Sequence, residues 1–342
     1  MSSPKLFISA IILLHLDVIV ANEQQDEVNL ADKATWETRG WFKREFSLVK
    51  PYQSSGSELP YWDIIGSTMV TSNYVRLTAD TQSRQGAIWS RNKNWARDWE
   101  LHLTFRVTGS TGDLFGDGLA IWYASERNQL GPVFGNKDYF RGLGVFLDTY
   151  SNHNGPHQHG HPYISAMVSN GTSHYDHDRD GTHTQLGGEE TGCESKFRNK
   201  EHDVQLLLRY VADTISVYTD INNRGVWDKC FSVGGVRLPT GYYFGVSAAT
   251  GELSDNHDVI SVRMYEQEYQ RTEPDIDRTN IDPSAEHQSA PRDHVADPKP
   301  SKLGWFGTIL LVIVAIVVIA GALGVGVTFI QNRQERSRKR FY

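Results

Sequence analysis

The stretch Gly144-Val145-Phe146-Leu147-Asp148-Thr149-Tyr150-Ser151-Asn152 begins as an apolar run and ends in oxygen donors. Side chains along a strand alternate between faces, so a run without alternation suits a strand buried on both. From Asp148 onward the Asp148 carboxylate, the Tyr150 carbonyl and the Asn152 amide oxygen follow at i, i+2 and i+4, hard donors of the type calcium takes. They converge only where the strand breaks into a loop. The stretch therefore predicts a buried strand that delivers a cation-binding loop at its carboxyl end.

Outward from it, residues 35–266 consist of short segments, many of which alternate. Leu101, Leu103, Phe105 and Val107 fall on one side and Glu100, His102, Thr104 and Arg106 on the other, the period-2 pattern of a half-buried strand. Further strands are predicted at Tyr74 to Leu77, Tyr163 to Val168, Val204 to Tyr210, Ile215 to Thr219, Tyr242 to Ala248 and Val259 to Tyr265. Turn formers such as Thr108-Gly109-Ser110, Asn154-Gly155-Pro156 and Pro239-Thr240-Gly241 separate them. No helical period runs beyond about three turns here. An all-β sandwich over residues 35–266 is the economical reading.

The two ends belong to the secretory and membrane system. Residues 1–21, with Lys5, the apolar stretch Leu6 to Leu14 and small Ala21, read as a signal peptide. Residues 303–330 read as a transmembrane helix, since no ionisable side chain lies between Lys302 and Arg333. The tail, 331–342, holds five basic residues against Glu335, which places it in the cytoplasm and the rest in the lumen. Removing that +4 from the whole-chain charge of −7 leaves −11 for the remainder, which argues against a nucleic-acid partner. Residues 267–302, with five prolines and almost no large apolar side chains, read as a disordered, solvated stalk. Cys193 and Cys230, the only cysteines, are expected to form one disulfide in an oxidising lumen. Asn170-Gly171-Thr172 is a glycosylation sequon.

A neutral sugar must be met hydroxyl by hydroxyl by a rigid set of donors and acceptors. Asp117, between Gly116 and Gly118 just ahead of an apolar segment, offers a carboxylate where the backbone can approach a ligand closely. Together with Gly131-Pro132-Val133-Phe134-Gly135, Val145 to Tyr150, Pro162 to Val168, Tyr175-Asp176-His177, Gly241 to Gly245 and Ser254 to Asp258, these residues resemble the leguminous-type (L-type) animal lectins of the secretory pathway. The resemblance spans roughly Trp41 to Tyr265. It implies a two-sheet jelly-roll, legume-lectin-like sandwich and calcium-dependent binding of high-mannose N-glycans on secretory glycoproteins. The implied calcium ligands are Asp148, the Tyr150 carbonyl, Asn152 and Asp180; the implied mannose contacts are Asp117, Asn152, His177 and the backbone around Gly251, Glu252 and Leu253. Ala87 stands where a polar sugar contact is common in that family, so one hydrogen bond is expected to be missing. Phe146 occupies the position where plant legume lectins carry a glutamate for a second, transition-metal ion, so calcium alone is implied. The tail resembles transport lectins, with Arg338, Lys339 and Arg340 as retrieval and Phe341 and Tyr342 as exit signals read by coat proteins. A single-pass receptor cycling between ER, intermediate compartment and Golgi follows.

Other readings compete. Seven of the 13 histidines fall between His153 and His183, among them His157, His159 and His161, which reads as a transition-metal site, a pH sensor or a solvated loop. Asp176 to Gly181 imitates an EF-hand opening, but Gly187 replaces the twelfth-position glutamate. A glycan-independent calcium module is the main alternative. A glycoside hydrolase is disfavoured, because the alternating acidic pattern at Glu273-Pro274-Asp275-Ile276-Asp277 lies in the stalk.

Overall fold

A computed structural model describes residues 40–52, 59–110, 115–152, 159–269, 277–289 and 305–338. The signal peptide, His153, His157 and tail residues Lys339, Arg340, Phe341 and Tyr342 lie outside them.

The strands, in chain order, are β1 (Gly40–Leu48), β2 (Trp62–Gly66), β3 (Met69–Val70), β4 (Val75–Thr78), β5 (Gln85–Ser90), β6 (Trp99–Thr108), β7 (Gly118–Ala124) and β8 (Arg141–Asp148). They continue with β9 (Tyr163–Asn170), β10 (Cys193–Glu194), β11 (Val204–Val211), β12 (Thr214–Asp220), β13 (Asp228–Val233), β14 (Val236–Arg237), β15 (Tyr243–Ala249), β16 (Asn256–Gln267) and β17 (Ser284–Ala285). One sheet has the order β13-β12-β11-β6-β16-β4-β3, with β1 also paired to β16; the other runs β10-β9-β8-β7-β15-β5-β2. This is the expected two-sheet sandwich.

The principal core lies between the sheets. Leu101, Leu103, Phe105 and Val107 of β6 enter it as their alternation predicts, opposite Leu119, Ile121 and Tyr123 of β7 and Val145 and Leu147 of β8. The residues between those, Ala120, Trp122 and Phe146, point to the other face of the seven-stranded sheet and join a second cluster with Trp89, Phe134 and Tyr175. That second layer is why β7 and β8 read as unbroken apolar runs: every residue of β7 is buried.

Pairing register sets the site. Gly118 lies opposite Asp148 across β7 and β8, Ala249 opposite Gly118 across β15 and β7, and Asp148 opposite Tyr163 across β8 and β9. Loops leaving these strand ends are thus gathered at one end of the sheet.

The disulfide between Cys193 and Cys230 forms, joining β10 at the edge of one sheet to β13 at the edge of the other. Asn170, exposed at the end of β9, accepts hydrogen bonds from the backbone N–H and hydroxyl of Thr172 in its own sequon.

The stalk boundary needs correction. Residues 277–289, inside the expected 267–302 stalk, pack on the head. Arg278 is buried and donates to the Tyr210 hydroxyl at 2.9 Å and the Asp213 carboxylate at 2.5 Å; Ala285 pairs with Val236. The Gln288 side chain receives the Val168 N–H at 2.8 Å and donates to the Val168 carbonyl at 2.6 Å, as a neighbouring strand would. Composition hid this, because the segment attaches through ion pairs and amides rather than apolar side chains. Separately, residues 305–338 form one helix, α1 (Trp305–Arg338), apolar and exposed along Ile309 to Ile330. It continues past the expected end at 330 into the tail, as far as Arg338.

Candidate functional site

Asp117 is fastened on both sides by main chain: its N–H donates to the Ala249 carbonyl at 3.2 Å, and its carbonyl accepts from Thr149 N–H at 3.0 Å. The Gly116–Asp117 peptide bond is cis. The Asp117 carboxyl accepts a hydrogen bond from the Gly251 backbone, and burial still pushes its pKa up. A Cβ on Gly251 would lie 3.0 Å from Asp117 Oδ1, so glycine lets the 251–253 loop close over the carboxylate. That loop is held in turn from the β4–β5 connection. Ser83 N–H donates to the Gly251 carbonyl at 3.0 Å, and Gln82 Nε2 donates to the Glu252 carbonyl at 2.7 Å. The Glu252 side chain is exposed.

A cavity of about 650 Å³ opens here, lined by Ser83, Arg84, Gln85, Asp117, Pro132 and Gly251 among others. Ala87, taken from the sequence as a sugar-side position, is fully buried with Trp89 and Trp122 in the second core cluster. The polar positions of that segment lining the cavity are Ser83, Arg84 and Gln85, at the entry to β5. Sequence reasoning missed them, as it missed β5; the signal was the polar run Asp80 to Gln85 after the predicted strand Tyr74 to Leu77.

Beside Asp117 lies the cation side. Asp148 and Asp180 are 6% and 3% exposed. Tyr150 N–H donates to Asp148 Oδ1 at 3.0 Å and Asn152 N–H to Asp180 Oδ1 at 2.8 Å, which folds the 148–152 loop around the two carboxylates. Ligand atoms of Asp148, Asp180 and His161 lie within 4.8 Å of one another. Asp180 Oδ2 is buried without a hydrogen-bond partner. Burial drives the Asp148 pKa well above the usual carboxylate range, and repulsion from Asp180 and Asp117 adds to it. Asp180 is pushed up to about 6, by burial first and then by Asp176. Two buried carboxylates aimed at one point, one oxygen unsatisfied, suit a divalent cation.

Asp180 sits between two short 3-10 turns, His177–Arg179 and Thr182–Thr184, rather than in an EF-hand. Gly181 has φ +67°, and a Cβ there would come within 2.3 Å of the Tyr175 ring. Tyr175 lies under His177 with ring centroids 4.7 Å apart, and Phe146 stacks on Phe134 at 5.4 Å. Phe146 therefore supports the site from its apolar side and offers no ligand. The Pro132 carbonyl accepts a hydrogen bond from the His177 ring, while Nε2 is buried without a partner. Burial lowers the His177 pKa against the opposing pull of Asp138, Asp178 and Asp176.

The geometry thus brings together Asp117, Asp148, Tyr150, Asn152, His177, Asp180 and the Gly251 to Leu253 loop. A model of the legume-like lectin family matches residues 39–274. The chain belongs to the legume-like lectin family. This lectin is 47% identical over 309 residues to the human vesicular integral-membrane protein VIP36, covering 88% of the chain and 85% of that protein. It is 46% identical over 311 residues to the human VIP36-like protein, covering 90% and 87%. Among solved structures, the VIP36 exoplasmic/lumenal domain in its calcium- and mannose-bound form superposes with a TM-score of 0.67 at 48% identity, covering 71% of this lectin and 98% of that chain.

Proposed function

We propose that this lectin binds mannose-containing glycans in a calcium-dependent manner and serves as a membrane-anchored receptor for glycoprotein cargo in the early secretory pathway. The observation that carries the reading is the convergence of the buried Asp148 and Asp180 carboxylates with Asp117 and the Gly251 loop beside an open cavity. The VIP36 lumenal domain, which is similar throughout, is described in a calcium- and mannose-bound form.

In this reading Asp148, the Tyr150 carbonyl, Asn152 and Asp180 hold calcium. The bound ion supplies charge neutralisation and fixes the 148–152 loop. The chain's own residues do the rest. Asp117 accepts hydrogen bonds from sugar hydroxyls, strengthened by its charge. The Asn152 amide, His177 Nε2 and the backbone of Gly251, Glu252 and Leu253 complete the set, and the hydrogen bonds that already hold these two loops reduce the ordering that binding must impose. No bond is broken, because the carboxylates that could act as acid and base are committed to cation and ligand.

Residues 1–21 are assigned as the signal peptide and the apolar part of α1 as the single membrane span. About 26 residues at about 1.5 Å each exceed the roughly 30 Å hydrocarbon layer. High-mannose N-glycans are the ligand class, and Asn170 is a lumenal glycan acceptor. Coat proteins read Arg338 to Tyr342 from the cytoplasm, and the receptor cycles through ER, intermediate compartment and Golgi. Retention of the full chain on immobilised high-mannose glycan with calcium, and its release by chelator, tests the central claim. Retention that persists in chelator would refute it.

A further inference from the structure

Asp180 stands where a carboxylate is hard to keep. Its backbone is left-handed at φ +52°, a conformation that costs an L side chain energy, and its carboxyl is buried beside that of Asp148. A residue held this way persists only when its surroundings over-determine it. On its amino-terminal side Asp180 N–H donates to the His177 carbonyl at 3.1 Å and Gly181 N–H to the Asp176 carbonyl at 2.9 Å. On its carboxyl side Thr184 N–H donates to the Gly181 carbonyl at 3.2 Å, and the second 3-10 turn runs on into Gln185, Leu186 and Gly187. Where that run is fastened decides where Asp180 and His177 sit.

One fastening belongs to the sandwich itself: Leu186 enters the core between the sheets, and its N–H donates to the Ala166 carbonyl of β9 at 2.7 Å. Another comes from the strap formed by residues 277–289. Gly187 N–H donates to the His287 carbonyl at 2.5 Å, and the next strap residue, Gln288, holds both main-chain groups of Val168, two places along β9 from Ala166. Gly187 turns at φ +85°, where a Cβ would come within 2.8 Å of Thr191 and Val233. The site loop and the strap thus lie side by side on the outer row of one strand. Further back the strap is anchored by Arg278 on Tyr210 and Asp213, and by Glu286 N–H on the Gly235 carbonyl at 3.2 Å.

We propose that the docked strap positions the loop carrying His177 and Asp180, with His287 and Gln288 as the positioning residues, so that the head holds cation and sugar tightly only while the strap is in place. The ligands named here rest on the calcium–mannose reading; the bracing of the loop does not. When the strap lifts, Gly187 loses its partner, the run behind the second 3-10 turn loosens and Asp180 leaves its strained conformation. Calcium affinity falls first, and sugar affinity falls through it. By linkage, bound calcium holds the strap down by the same factor.

The test combines amide hydrogen exchange with calorimetry on the full chain in detergent micelles, with Ca2+ and free mannose as probes, at a dilution where light scattering finds single particles. Gln288→Ala should speed exchange across 181–188 and lower calcium affinity by about threefold or more, the scale of one contact in a coupled network. Mannose affinity should fall with it in limiting calcium and recover in saturating calcium, because mass action restores the positioned loop. Gln288→Glu keeps an acceptor for Val168 N–H and should fall between. Asp220→Ala removes a buried acceptor of the Arg224 and Gly225 N–H groups in the turn between β12 and β13. It should lower the melting temperature yet leave 181–188 exchange and both affinities unchanged, which separates positioning from general weakening. In the unaltered chain calcium should slow exchange at Gly187 and Glu286. Exchange at 181–188 or calcium affinity unaltered by Gln288→Ala, or an equal loss in Asp220→Ala, would overturn the proposal. An unaltered chain that binds neither probe would instead sink the calcium–mannose reading, and the exchange comparison alone would then decide whether the strap braces the loop.

Discussion

The half-buried Asp117 and the buried Asp148 both have raised pKa, yet their neighbours assign them different work. Asp117 faces the cavity and the Gly251 loop; Asp148 faces Asp180. Asp117→Asn exchanges a charged acceptor for a weaker one, so mannose affinity should fall by at least about tenfold, the order of one charge-assisted hydrogen bond. Calcium affinity should stay within about twofold. Titrating both ligands by calorimetry checks this, and equal loss of the two would reverse the assignment. Protons compete for the cation side. Asp148 and Asp180 have folded-state pKa values above their unfolded ones, so the calcium-free head binds more protons than the unfolded chain, and its stability declines as pH rises from about 4 through about 6. Calcium needs both groups deprotonated and gains over that same window. Affinity measured at pH 5 should be at least about tenfold below that at pH 7, since one proton held near pH 6 must be displaced. Burial lowers the His177 pKa, which works against a contribution from this imidazole; a matching loss in His177→Gln would confirm the carboxylates as the source.

At the scale of elements, the loops of the site are held by pairs remote from it. Arg198 grips the buried Asp255 through two hydrogen bonds of 2.8 Å, lies over the Phe115 ring and also donates to the Ser110 carbonyl. This ties the 251–255 loop to the turn after β6. Asp255→Ala leaves the guanidinium without its partner and should cost about 3–5 kcal/mol of stability. Urea unfolding measures it, and a loss under about 1 kcal/mol would show the pair to be incidental. Sequence periodicity made β6 legible because it alternates against one core. The strands β7 and β8 were legible as apolar runs, but the second core layer that causes them was not, since its members Phe134, Phe140 and Tyr175 come from loops. At the site, Asp148, Tyr150 and Asn152 share one loop and could be read together. Asp180 is 28 positions from Asn152, and His161 and Ser83 belong to other connections, so their proximity depends on strand pairing that spacing does not encode.

For the whole molecule, the proposed reading separates a sugar-binding head from a tail read by coat proteins. Replacing Phe341 and Tyr342 by alanine should leave mannose binding intact and hold the receptor in the ER. Replacing Arg338, Lys339 and Arg340 by serine should shift it to later compartments. Microscopy of both variants, with membrane topology verified, decides the matter; unchanged distributions would reduce the tail to an anchor flank.

The segment at 277–289 bears on how copies of the head avoid each other. The outer row of β9 would be open, but Ile164 is paired to Cys193, the Ala166 carbonyl receives Leu186 N–H at 2.7 Å, and Val168 is occupied on both groups by Gln288. An uncovered strand of this kind templates another chain. A head shortened to end at Tyr269 would bare Val168 and uncover Val236, inviting edge-to-edge association. Light scattering should find it self-associating where a head ending at 289 stays monodisperse, and Gln288→Ala in the longer form should fall between. A segment whose composition suggests a spacer would then be the element that keeps this lectin soluble once it is cut from its membrane.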